Sequence, residues 1–123
     1  MGYESKLYIV KKHTALTHNE KFWGEVIVAI DMCKCFPLCQ YFVSAKDTEC
    51  YFYGFDGDNE INEDAYGDSI KELSLIDTIK ILKDIMKDKE NTYCRFNVLL
   101  KVLEAIKKEA TSPEDFAVLH YGY

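Results

Sequence analysis

The sequence predicts a two-layer α+β domain: an antiparallel sheet of about four strands, with two antiparallel helices on one face. Three observations predict it. Runs rich in β-branched and aromatic residues fill the first half of the chain. Two segments with apolar residues at a 3.6 period follow. The links between these elements are short, which favours antiparallel neighbours.

Taken in order, Tyr3 to His13 carries Leu7, Tyr8, Ile9 and Val10 between lysines and reads as a first strand. Thr14 to Lys21 is polar and reads as a loop. Trp23 to Ile30, with Val26, Ile27 and Val28, reads as a central strand. Asp31 to Gln40 reads as irregular, because Pro37 interrupts it and three cysteines crowd it. Glu49 to Phe55 reads as a third strand, and Gly54 and Gly57 lead from it into an acidic loop. Ser74, with Asp77 three residues on, resembles a capping box. The helix after it would bury Leu75, Ile76, Ile79, Leu82 and Met86. A second helix starts near Asn91 or Thr92, buries Phe96, Leu99, Leu100, Leu103 and Ile106, and stops before Ser112-Pro113. Phe116 to Tyr121 reads as a last strand that returns to the sheet, centrally or at an edge. At 123 residues, residues 1–123 are expected to form a single domain.

Composition narrows the function classes. The net charge is −6, and eight acids with no Lys or Arg lie between Asp47 and Ile70. The other 13 acids face 15 bases, so the whole negative excess is local. Such a block repels nucleic acid and suits a cationic partner surface. A single Arg and a pI near 5.0 speak against direct nucleic-acid binding. No apolar run approaches the roughly 20 residues that cross a bilayer, and the N-terminal stretch lacks a secretory apolar region, so a cytoplasmic protein is expected. Nucleophile elbow, P-loop and dinucleotide-binding turn are all lacking, so a non-enzyme is expected.

Two constellations are candidates for a site. The first is the acidic run Asp56, Asp58, Glu60, Glu63, Asp64 and Asp68, bracketed by Tyr51, Phe52, Tyr53, Phe55 and Tyr66, a composition suited to binding a protein partner. Asp56, Asp58 and Glu60 match the first ligand positions of a calcium loop. Ile61 stands where its Gly is required and Gly67 where its bidentate Glu is, so it is not an EF-hand. The second is Cys33, Cys35, Cys39 and Cys50. Four thiolates at this spacing could close a tetrahedral structural zinc site; unligated core thiols are the other reading. Cys94, His13 and His18 are reserve ligands.

The opening Met-Gly-Tyr-Glu-Ser-Lys-Leu-Tyr-Ile-Val, Trp23-Gly24-Glu25-Val26-Ile27, Asp31-Met32-Cys33-Lys34, the turn Asp64-Ala65-Tyr66-Gly67 and the ending Val118-Leu119-His120-Tyr121-Gly122-Tyr123 resemble small phage and prophage proteins. The chain is similar to zinc-containing anti-CRISPR proteins that inhibit the type II RNA-guided nuclease. That resemblance spans nearly the whole chain and rests on structural signatures without chemistry of their own. It implies an inhibitor, monomeric or weakly dimeric, that occupies a surface of the nuclease in the host bacterial cytoplasm and hinders loading of target DNA. The rival reading is a metal-stabilised structural or regulatory phage protein with a phage or host protein as partner.

Overall fold

The structure, a computed structural model, describes residues 4–18, 20–54, 59–88 and 94–123. Two long strands, β1 (Ser5–His18) and β2 (Lys21–Cys33), form an antiparallel hairpin. Helix α1 (Leu38–Val43) follows. Then come β3 (Lys46–Asp47), β4 (Cys50–Tyr53), β5 (Glu60–Ile61) and β6 (Lys71–Ser74). The chain ends with α2 (Leu75–Ile85), α3 (Cys94–Glu109) and β7 (Phe116–Gly122).

The expected two-layer sheet of about four antiparallel strands is not what forms. The seven strands make one mixed sheet in the order β3-β6-β7-β1-β2-β4-β5, with β2 and β4 parallel, and it is curled into a half-barrel. The reason is visible in a two-residue link. In a flat sheet β3 and β4 would lie five strand spacings apart, about 24 Å. Asp47 and Cys50 are three residues apart, a reach of about 10 Å. The sheet must therefore bend until its ends approach. The link is bonded on both sides, since Thr48 N donates to Ile70 O at 2.8 Å and Phe22 N donates to Glu49 O at 3.0 Å.

Irregular register assists the bend. Ile9 pairs with Val28 and Val10 with Val26, so Ile27 bulges out of the ladder, and such bulges increase local twist and curvature. The polar stretch Thr14 to His18, expected as a loop, continues β1 instead, with register shifts between His13 and Thr17. Glu20, at the hairpin turn, takes a left-handed φ of 66°.

Alternation then separates two cores. Leu7 and Ile9 face one side with Val118, while Tyr8 and Val10 face the other with Ala117 and Leu119. The first side is convex and covered by helices: Leu38 and Phe42 of α1, Leu75, Ile79, Leu82 and Ile85 of α2, and Phe96, Leu99 and Leu103 of α3 are all buried there. Each such side chain contributes roughly 1.5–3 kcal/mol of burial. That matters most for α1, whose six residues could not hold a helix in isolation. Its place in the segment expected to be irregular comes from Leu38 and Phe42, four residues apart and on one helical face. Ser74 caps α2, accepting a hydrogen bond from Asp77 N at 3.1 Å. The start expected for the next helix, Asn91 or Thr92, falls outside the described residues.

The second core fills the concave side. Phe52 of β4 packs its ring 5.1 Å from Tyr8, and Gly24 lets β4 approach β2 closely. A Cβ at position 24 would stand 3.0 Å from Cys50 Cβ. β7 lies centrally, between β6 and β1, which answers what the sequence left open about its place. None of the described helices is long and apolar enough to cross a membrane.

Candidate functional site

The acidic segment is divided by the fold. Asp47 and Glu49 bond to lysines: Lys71 Nζ lies 2.8 Å from Asp47, and the nearby Lys46 and the distant Lys12 place Nζ 3.0 and 3.5 Å from Glu49. These contacts hold both carboxyls below their usual range, with the Lys71 and Lys46 hydrogen bonds the leading causes. Asp56 and Asp58 lie outside the described residues, as does Phe55. Glu60, Glu63 and Asp68 have no ion-pair partner among the described residues.

Asp64 has a different role from its neighbours. It is 7% exposed, and its Oδ1 accepts hydrogen bonds from Tyr66 N at 2.8 Å and Asp68 N at 3.0 Å. Gly67, with φ of 82°, closes the turn by donating to Asp64 O at 3.1 Å. Ala65 N donates to Gly122 O at 3.0 Å, pinning the turn to the end of β7. Tyr66 is thereby left 53% exposed at the tip, beside Glu63 and Asp68, both exposed. Of the flanking aromatics, Phe52 is core and Tyr53 is 44% exposed, as strand alternation requires.

Two clefts take the acidic residues. One, of about 710 Å³, opens beside the concave side and is lined by Glu60 and Glu63 with Lys6, Tyr8 and Tyr121. The other, of about 530 Å³, lies between α1 and the Asp64 turn. Phe42, Val43, Asp64, Asp68, Lys71 and His120 are among the residues that line it. His120 stacks on Phe42 at 5.2 Å and shares a 2.8 Å hydrogen bond with Ser5 Oγ. Burial lowers its pKa, with the charge of Asp64 opposing, so the ring is neutral near pH 7. The sequence reading did not single out His120. Its signal was the alternation of the last strand, which sets it on the same face as Val118.

The four cysteines are placed on both sides of the sheet. Cys35 is buried in the helix-covered core, with Cys39 packed against it, and Cys39 N donates to Cys35 O at 3.1 Å. Cys33, at the end of β2, has its sulfur 3.0 Å from Arg95 Nη1. Cys50 belongs to the concave core. Among the described residues no group of three or more His, Cys, Asp or Glu is placed to hold a metal ion. Burial pushes the Cys35 thiol up to about 12, with Cys39 adding to the rise. Burial and then Glu72 push Cys50 up to about 11. These are protonated core thiols, the opposite of the activated thiolate a nucleophile needs. Cys94 is exposed. His13 is engaged by Glu25 at 2.8 Å and stacks on Trp23, while His18 meets Tyr51 edge-on.

One further polar cluster braces the curled sheet at the β3–β4 link. Glu72, 3% exposed, accepts from Lys12 Nζ at 2.5 Å and Thr48 Oγ1 at 2.9 Å. Burial acts to lower the Lys12 pKa, but Glu72, Cys50 and Glu49 together outweigh it and the net shift is upward. The pair is a structural clamp, since it ties β1 to β6 and to the link across the curl.

Comparison with protein-family models, curated proteins and solved structures returns no match.

Proposed function

We propose that this chain is a protein inhibitor that acts by occupancy. Its acidic face docks on a basic, nucleic-acid-handling region of a bacterial RNA-guided nuclease and hinders loading of target DNA, in the host bacterial cytoplasm. The observation that carries the reading is that Glu60, Glu63 and Asp68 have no ion-pair partner among the described residues, while Tyr66, close to them in the chain, is 53% exposed. Unpaired acids beside an exposed tyrosine suit a cationic protein surface, with the ring supplying contact area at low entropic cost. Complementary charge speeds association and makes it salt-sensitive. The identity of the nuclease rests on the sequence resemblance alone.

The test is co-elution with the guide-loaded nuclease at low salt, together with a DNA-cleavage assay. Reversing Glu60, Glu63 and Asp68 to lysine is expected to weaken binding by about tenfold or more and to relieve inhibition. Binding that survives the triple reversal unchanged sinks the acidic-surface reading. The structural zinc implied by the resemblance is checked by elemental analysis of protein purified without added metal. About one zinc per chain counts for it and none counts against it.

A further inference from the structure

We infer that the cavity between α1 and the Asp64 turn is a socket for an arginine side chain of the partner protein. The inference rests on the acidic-surface reading above and names which part of that surface takes the partner's cation.

Four features of the cavity point to that occupant. Asp64 is 7% exposed, yet its two hydrogen bonds both fall on Oδ1. Among the described residues no buried side-chain oxygen lacks a partner, so Oδ2, which takes none, keeps access to solvent, and Asp64 is one of the residues that line the cavity. Asp68, also in the lining, adds a second carboxylate with no ion pair among the described residues. Phe42 and Val43, the latter 77% exposed, give the cavity apolar wall beside the polar Gln40 and Ser69. The two basic residues that line the cavity are already accounted for. Lys71 is already held by Asp47 at 2.8 Å, and His120 is kept neutral by burial.

An arginine fits this combination better than a lysine. Its guanidinium is weakly hydrated, planar and able to donate to two acceptors at once, which suits a site where Asp64 offers one open oxygen and Asp68 a second carboxylate. Its three methylenes can lie along Val43 and Phe42 while the charged head reaches the acids. Apolar walls also lower the local dielectric, which strengthens the pair relative to an exposed contact.

The test uses the whole chain, isotope-labelled, titrated with a capped Gly-Arg-Gly tripeptide and followed by NMR. Saturable shifts are expected at Val43, Asp68 and the His120 ring, with a dissociation constant on the order of 1–10 mM, as suits a single anchored side chain. The same peptide with norleucine for arginine is expected to produce none of them. Asp68→Asn, a change at an exposed position outside the core, is expected to weaken binding by about threefold. Equal shifts from the norleucine peptide, or no saturation at the pocket, would overturn the socket. Shifts at Glu60 and Glu63 without any at Val43 and His120 would also overturn it, while the broader acidic-surface reading would stand.

Discussion

Removing the Glu72 carboxylate tests how the curled sheet is closed. Glu72→Ala leaves the Lys12 ammonium, whose side chain is 15% exposed, without its nearest counter-ion on the concave side. It also strips an acceptor from Thr48 Oγ1, loosening the two-residue link that joins the ends of the sheet. Breaking a buried pair from one side typically costs about 3–5 kcal/mol. Because Lys12 retains some access to solvent and Glu49 stands 3.5 Å away, the lower end, about 3 kcal/mol, is expected here. For a chain of this length 1 kcal/mol is worth about 4 °C in Tm, so the loss should be about 12 °C. Thermal and urea denaturation of the single variants and of Lys12→Met with Glu72→Met provide the measurement. The double variant should recover most of the loss, since it removes both charges together. A Glu72→Ala loss below 1 kcal/mol, or a double variant as unstable as the two singles combined, would refute the clamp.

Two further outcomes bear on the fold and on the cavity. Gly24→Ala places a Cβ 3.0 Å from Cys50 Cβ and 3.4 Å from Tyr51 O, neither of which can swing aside, so a loss of about 1–3 kcal/mol in denaturation is expected. Cys50→Ala retains the obstructing Cβ and should not rescue it. Burial lowers the His120 pKa in the folded chain, with Asp64 opposing, so the unfolded chain binds the proton more readily. The stability this group contributes is full above its unfolded pKa of about 6.5 and is lost as pH falls from there through the lowered folded value. His120→Gln should flatten that part of the stability profile, and an NMR titration placing His120 at or above 6.5 would contradict the assignment.

What the sequence by itself determined is local. The 3.6 period marked Leu75, Ile79, Leu82, Phe96, Leu99 and Leu103, all of them buried in the helical layer. Ser74 announced the start of α2. The concentration of acids after Asp47 was also plain. What only the tertiary structure decided is which of those acids gain a partner among the described residues. Lys71, distant in sequence, pairs with Asp47, Lys12 joins the local Lys46 at Glu49, and a turn takes up one oxygen of Asp64. The separation of Cys50 from Cys35 is equally a tertiary outcome, because chain spacing does not record which face of a sheet a residue will take. The same holds for the curl itself. β3 and β6 are too short to register as periodic signals, and the pairing of a two-residue link with opposite ends of the sheet is a long-range contact. Periodicity reports which side of an element is apolar, but not which other element will cover it.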